Sequence, residues 1–164
     1  MEVVERESLL AEASSSSTYF ALLDACDEPQ IQGLVEPANP RVAHLCSLYK
    51  GTAATDFWAI APYLYSLDRD RADWLLGNLT TEAWGYVVKA SCDLEKLAMH
   101  FRRHTYALDP EGCQVLFRYY DPRVIASVLP TLSAADFKQF VGPCEVLLLP
   151  GADGTFVKYT LHSA

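Results

Sequence analysis

The stretch that decides the fold of this chain reads VLFRYYDPR and runs from Val115 to Arg123. Its first six residues are mostly β-branched, aromatic or long side chains, which favour a β-strand. Asp121 can then cap a helix with its carboxylate, and Pro122 suits the first helical position because its missing N–H would be unpaired there in any case. The stretch therefore predicts a strand over residues 115–120 that ends where a helix begins, at Pro122.

The same junction gathers charged side chains. Side chains alternate across a strand, so Arg118 and Tyr120 should share one face. Arg123 lies in the first turn of the predicted helix, where the helix dipole repels a cation, and Asp121 is its nearest partner. We favour a structural brace, a salt bridge beside a capped helix, because catalytic Arg–Asp pairs are rare. A functional site is the alternative interpretation.

Hydrophobic periodicity and turn residues divide the rest of the chain into short strands and helices. The Asp109–Gly112 turn separates two apolar runs and predicts a hairpin, and Asp153-Gly154 predicts a second one near the C-terminus. Ser133, with Asp136 three residues later, predicts another capped helix. Strands are predicted at residues 19–25, 42–49, 63–67, 84–90, 106–108, 114–120, 145–149 and 155–161, and helices begin at or just after Pro29, Asp70, Asp93, Pro122 and Ser133.

The order of these elements predicts the fold class. Strands alternate with helices and the chain closes with hairpins, so we expect an α/β (α+β) fold: a mixed β-sheet flanked by helices, ending in a C-terminal β-hairpin. With 164 residues, 51% of them hydrophobic, the chain can bury one ordinary core. Residues 1–17 are acidic and rich in serine, and we expect a flexible N-terminal segment there, followed by a single domain over residues 18–164.

Charge and hydropathy limit the classes of partner. The chain has 13 Lys and Arg against 21 Asp and Glu, a formal charge of −8. Such a surface repels nucleic acid and anionic lipid, so neither is expected as a partner. No apolar stretch is long enough to span a membrane, and the acidic start is the reverse of a secretory signal. We therefore expect a cytoplasmic protein.

The sequence contains no pattern typical of a catalytic, metal or cofactor site. His100 and His104 have the spacing of a helical metal pair, but Phe101 stands where a metalloprotease carries glutamate, so we expect both histidines at the surface. His44 lies in an apolar run and is expected in the core. The five cysteines form no C-x-x-C pair, so reduced, mostly buried thiols are expected, and no zinc. An enzyme is therefore the weaker hypothesis, and no cofactor is expected.

The run LFRYYDPRV, followed by LPTL at residues 129–132, resembles the signature of the type VI secretion effector chaperones, also called adaptors. Further landmarks stand in that family's order, and the resemblance covers about residues 18–149. They are YFALLDA at residues 19–25, LY at 48–49 before Gly51, APYL at 61–64, WG at 84–85 and HFRRH at 100–104. The resemblance implies a chaperone, without enzymatic activity, that binds a cognate toxin effector in the cytoplasm and helps to mount it on the VgrG spike.

The candidates for partner binding lie in the resembling motifs and are Trp84, Arg118, Tyr120, Asp121 and Arg123. Trp, Tyr and Arg dominate interface hot spots, and Asp121 is the charged neighbour of the two arginines. Two other hypotheses stay open. One is a small enzyme with a cryptic site around the Arg118, Asp121 and Arg123 cluster. The other is a structural subunit that self-associates through an open sheet edge, such as the C-terminal hairpin.

Overall fold

The structure is a computed structural model and describes residues 2–15, 18–26, 28–36, 39, 43–79, 81–151 and 154–160. In this part of the chain, nine strands and seven α-helices follow one another, and single-turn 3-10 helices lie at Trp58–Ile60 and Leu129–Thr131. The strands are β1 (Glu2–Val4), β2 (Tyr19–Asp24), β3 (Leu45–Ser47), β4 (Pro62–Leu67), β5 (Gly85–Ala90), β6 (Tyr106–Leu108), β7 (Gln114–Leu116), β8 (Cys144–Pro150) and β9 (Phe156–Thr160). The helices are α1 (Arg6–Ser15), α2 (Pro29–Val35), α3 (Thr52–Asp56), α4 (Arg69–Asn78), α5 (Leu94–Arg102), α6 (Pro122–Val128) and α7 (Ala134–Val141).

Seven of the strands form one sheet in the order β1-β9-β8-β5-β2-β4-β3, while β6 and β7 pair only with each other. The expected fold class and the C-terminal hairpin, β8 with β9, are thus confirmed. Every pairing described is antiparallel rather than mixed in direction. Helices cover both faces of the large sheet, which makes a three-layer arrangement around two cores.

The central strand β2 separates these two cores because its side chains alternate between the faces. Tyr19, Ala21 and Leu23 pack with residues of α1, α2 and α4 on one face. Phe20 and Leu22 pack on the other face with residues of α5, α6 and α7. All six residues of β2 are buried, so this strand is the anchor to which the candidate site is attached.

A strand and a helix, β1 and α1, lie within residues 1–17, where we expected a flexible segment. β1 pairs with β9, with Val3 opposite Val157, and so occupies the edge of the C-terminal hairpin that we expected to be open. In α1, Leu9 and Ala13 stand one helical turn apart and are buried against the core beneath α4. The sequence hid this packing because the apolar stripe of α1 is only these few residues wide. Residues 1, 16 and 17 of the expected segment lie outside the described residues.

Two predicted strands are shorter in the structure. The strand expected over residues 114–120 ends at Leu116, and the chain then turns through residues 117–120 to reach the helix start. The strand expected over residues 42–49 is only β3, at the edge of the sheet, and residue 42 lies outside the described residues. His44 is consequently exposed, and our expectation of a core histidine was wrong. Apolar composition alone could not distinguish a buried strand from an edge.

Three of the five predicted helix starts are confirmed by their caps. The side chains of Asp93, Asp121 and Ser133 each accept a hydrogen bond from a backbone N–H two or three residues later. Pro122 occupies the first turn of α6, as expected. No helix in the described ranges is long and apolar enough to cross a membrane.

Candidate functional site

The predicted pair of Asp121 and Arg123 is present at the start of α6. Asp121 Oδ1 accepts hydrogen bonds from both the backbone N and the side-chain Nε of Arg123, each at 2.9 Å. Asp121 Oδ2 lies 2.7 Å from Arg123 Nη2, which completes a two-pronged ion pair. One carboxylate therefore caps the helix and holds the cation that the helix dipole would otherwise disfavour.

Arg118 makes a contact that the sequence did not predict. Its Nη2 lies 2.6 Å from Asp24 Oδ2, at the end of the central strand, and 3.8 Å from Asp121 Oδ2. The other oxygen of Asp24 accepts a hydrogen bond from the backbone N of Cys26. The turn before α6 is thus tied to β2 by a charge-assisted hydrogen bond between residues 94 positions apart. Only tertiary folding places Asp24 there, so no local pattern could have revealed it.

Burial sets the electrostatics of this cluster. Burial raises the pKa of Asp24 above its usual value, although the hydrogen bonds from Arg118 and from the Cys26 backbone oppose that shift. For Asp121, burial also acts to raise the pKa, but the Arg123 hydrogen bonds and charge outweigh it and the net pKa lies below the usual value. The Arg123 contacts therefore favour the ionised form of Asp121, whereas burial disfavours the ionised form of Asp24 and the bond from Arg118 opposes that effect.

Trp84 and Tyr120 belong to the core rather than to an exposed surface. Trp84 is buried, and its backbone O accepts a hydrogen bond from Asp24 N at 2.9 Å. Tyr120 is buried as well, and burial, followed by the neighbouring Tyr49 hydroxyl, raises its pKa above the usual value. Both residues therefore pack in the core next to the charged cluster. Gly85 makes this packing possible, because it has φ of +132° and a Cβ there would lie 1.8 Å from the Leu22 carbonyl oxygen.

Four of the five candidate residues therefore meet in one cluster, and Trp84 adjoins it through the backbone of Asp24. Of the five, only two arginines reach solvent: the side chain of Arg118 is 42% exposed and that of Arg123 is 67% exposed. Their role in binding a partner stays a prediction. The carboxylates of Asp24 and Asp121 already accept hydrogen bonds from arginine side chains and backbone N–H groups, so neither is free to bind a substrate. This geometry fits the brace that we favoured.

The histidine pair is half-buried rather than at the surface. His100 Nε2 lies 2.7 Å from the Phe140 carbonyl oxygen, and the ring of His104 packs edge-on against that of Phe140. Burial lowers the pKa of His100, and it lowers that of His104 to about 4. Within the described residues, no group of three or more His, Cys, Asp or Glu side chains is placed to hold a metal ion. His100 in α5 and His104 just after it therefore both contact Phe140 of α7.

The free cysteines are less buried than expected. Cys144 is buried, three others are half-buried, and Cys113 is exposed. Our expectation of mostly buried thiols was wrong for Cys113 because it lies in the turn of the β6–β7 hairpin, where neither face packs on a core.

That hairpin carries the surface feature that sequence reasoning missed. Its strands were predicted, but not their exposure. On the side facing solvent, Tyr106 is 57% exposed, Leu108 is 73% exposed and Leu116 is 47% exposed. We call these three residues, together with exposed Gln114, the hairpin face. The sequence signal was the alternation of apolar residues on strands of only three residues. No further strand in the described ranges pairs with them.

Comparison with known proteins identifies the family. The family model described as a domain of unknown function, DUF4123, matches residues 19–139, which include the arginine cluster and the hairpin face. A search of curated proteins and a search of solved structures each found no match. The family match covers well over half of the 164 residues. The chain therefore belongs to the DUF4123 family, which is associated with effector adaptor function in type VI secretion systems.

Proposed function

We propose that this chain is a cytoplasmic adaptor that binds a cognate toxin effector of a type VI secretion system and aids its loading onto the VgrG spike, without catalytic turnover. The observation that carries the proposal is the DUF4123 match over residues 19–139, because the family is associated with effector adaptors. The effector and the spike protein are its two proposed partners.

The hairpin face supports this proposal on physical grounds. Large apolar side chains exposed in a group are typical of protein-binding surfaces, whereas single ones are ordinary. Four of the eight exposed large hydrophobic residues identified in the described ranges fall on β6 and β7, which are three residues long each. An isolated two-stranded hairpin is only marginally stable in water, so a partner that packs on it would stabilise the hairpin as well as the complex.

The geometry of the arginine cluster argues against catalytic turnover at its carboxylates. A catalytic carboxylate needs access to substrate, and the carboxylates of Asp24 and Asp121 are buried and already paired. The enzyme hypothesis therefore has no specific geometry in its favour. Self-association through the outer edge of β9 is opposed by β1, which already pairs with that edge.

Graded co-expression tests the proposal. The chain is produced at increasing levels with the toxin protein encoded beside its gene, and the products are separated by size-exclusion chromatography. An adaptor should raise the yield of soluble effector in proportion to its own amount, at about one to one, because stabilisation by binding follows mass action. Addition of the VgrG protein should then give a ternary complex.

Two results would contradict the proposal. One is an effector that is equally soluble and equally bound to VgrG without this chain. The other is a trace of the chain that suffices to modify the effector covalently, which would indicate an enzyme. A matched control uses an unrelated toxin, whose yield should not respond.

A further inference from the structure

The outer edge of β6 is an open hydrogen-bonding edge. Thr105 O accepts from Phe117 N and Cys113 O accepts from Asp109 N, so hydrogen-bonded pairs stand at both ends of the hairpin. Such pairs alternate along an antiparallel ladder with pairs whose polar groups point outward. In this register the pairs of Tyr106 with Leu116 and of Leu108 with Gln114 are the outward ones. The N–H and C=O groups of Tyr106 and Leu108 therefore point away from β7, where no other described strand pairs with them.

The side chains beside this edge form an apolar ledge. Those of Tyr106 and Leu108 lie on the hairpin face and are more than half exposed. An added strand would place every second side chain against them, because side chains alternate along a strand. Backbone hydrogen bonds to a free edge supply affinity in this mode of recognition, and the alternate side chains supply specificity.

A cationic cavity opens at the start of the same edge. Its volume is about 260 Å³, and Tyr106 and Thr105 form one wall. Lys50 and Arg102 also line it, and no carboxylate does. Neither cation makes an ion pair within the described part of the chain. The Nε of Arg102 is buried there without a hydrogen-bond partner, although its Nη2 donates to Ser47 O at 2.7 Å.

This uncompensated charge is unusual in a chain of net charge −8. A half-buried guanidinium with an unused donor is best satisfied by an anion, and a carboxylate accepts two such donors in a fixed geometry. This region of the surface thus combines an open strand edge, exposed apolar side chains and a site for one carboxylate. A bound segment that satisfies all three is extended, apolar on alternate residues, and acidic at the end that meets the cavity.

We propose that the outer edge of β6 captures an extended, alternately apolar segment of the effector by strand addition, with an acidic side chain of that segment entering the cavity at Lys50 and Arg102. This inference rests on the proposed adaptor function and specifies its binding surface. A second copy of this chain is the competing occupant. Its β6 edge would bring the cations Lys50 and Arg102 of each copy near the shared edge without supplying the missing carboxylate.

Proline substitutions at the two edges test the proposal. Leu108→Pro removes an outward N–H from the β6 edge, which proline can do without breaking the pairing with β7. Gln114→Pro makes the same change at the opposite, β7 edge, because Gln114 stands opposite Leu108. The binding of the full chain is measured by anisotropy with short overlapping peptides that cover the toxin encoded beside its gene. We expect Leu108→Pro to weaken peptide binding about fivefold or more and Gln114→Pro to leave it nearly unchanged.

Two further measurements do not depend on proline being tolerated. Lys50→Glu reverses an exposed charge and should weaken binding about tenfold, and it should also remove the preference for the acidic peptide over its amide analogue. Methylation of alternate backbone nitrogens in the bound peptide should abolish binding in one register and spare it in the other, because only alternate N–H groups face the edge.

The outcomes separate this inference from the proposed function. If no part of the toxin binds the wild-type chain, both fail. If the toxin binds and Leu108→Pro, Lys50→Glu and peptide methylation change nothing, the strand-addition proposal is overturned and the adaptor function stands. Equal losses in Leu108→Pro and Gln114→Pro would overturn the assignment to β6. Self-association of the chain alone that Leu108→Pro abolishes would assign the edge to a second copy.

Discussion

Replacement of Arg118 by methionine removes the only cation among the described residues that forms a salt bridge with Asp24. The hydrogen bond of 2.6 Å between Arg118 Nη2 and Asp24 Oδ2 would be lost, and the buried Asp24 carboxylate would keep its bond from Cys26 N. A charge-assisted hydrogen bond contributes about 1.5–3 kcal/mol, and removal of one partner of a fully buried pair costs about 3–5 kcal/mol. Because the side chain of Arg118 is 42% exposed, water screens the pair, and we take the lower part of this range. Arg118→Met should therefore reduce the free energy of unfolding by about 2–3 kcal/mol.

The pH dependence of that loss is the sharper test. Without Arg118 the pKa of Asp24, already raised by burial, rises further. The folded state then binds a proton more readily than the unfolded state, so acidification relieves the destabilisation. Urea unfolding of Arg118→Met and wild type should show a smaller difference at pH 5 than at pH 7. Arg123→Met is the matched control. It should cost less, because Arg123 is the more exposed cation and Asp121 keeps its backbone bond.

A loss in Arg118→Met that is the same at pH 5 and pH 7 would refute the assignment of an ionised, buried Asp24. A loss no larger than that of Arg123→Met would refute the bracing role of Arg118. Both comparisons are differences from the wild type at the same pH, so the titration of histidines common to all three proteins cancels.

Three further predictions follow from individual contacts. Gly85→Ala should prevent folding or reduce the free energy of unfolding by more than about 3 kcal/mol, because the new Cβ would overlap the Leu22 carbonyl oxygen. Gly33→Ala in α2 is the control: a Cβ there has open space, and the variant should gain about 0.5–1 kcal/mol in the same urea assay. Burial holds the pKa of His100 below the usual value and that of His104 at about 4, so the unfolded state binds more protons between these values and about pH 6.5. Stability should therefore fall by about 1–3 kcal/mol as the pH drops through this window, and His104→Gln should flatten the fall; a flat wild-type profile would contradict it. A thiol reagent should label exposed Cys113 first and Cys144 last, since burial raises the pKa of Cys144 to about 12, and an initial rate unchanged in Cys113→Ser would show that another thiol is the reactive one.

Local chemistry was sufficient to predict most elements of this fold. The caps at Asp93, Asp121 and Ser133 were readable because each acts within one turn of its own helix. The pair of Asp121 with Arg123 was predictable for the same reason. The link from Arg118 to Asp24 was not, because those residues are distant in sequence and meet only when the turn before α6 folds back on β2.

The errors share a second cause, which is that apolar composition does not reveal how many neighbours a strand has. β3 and the β6–β7 hairpin resemble core strands in sequence, yet the first lies at a sheet edge and the second stands outside the large sheet. In α1 a largely polar sequence packs on the core, because Leu9 and Ala13 are buried there. Strand order, rather than strand propensity, decides which apolar residues stay exposed.

The brace and the hairpin face are parts of one arrangement. A two-stranded sheet that pairs with nothing else has no intrinsic reason to hold one orientation. Here the half-buried Phe117 packs with the second core at the end of β7, and Arg118 follows at once with its bond to Asp24. The rigid central strand thereby fixes the direction in which the β6 edge points. Pre-organisation of this kind raises affinity because less freedom is lost on binding. Arg118→Met should then weaken effector binding through orientation even though Arg118 lies outside the proposed contact, whereas Arg123→Met should not. If both variants keep wild-type unfolding free energies and both lose the effector, the arginines form a contact surface and the bracing argument fails.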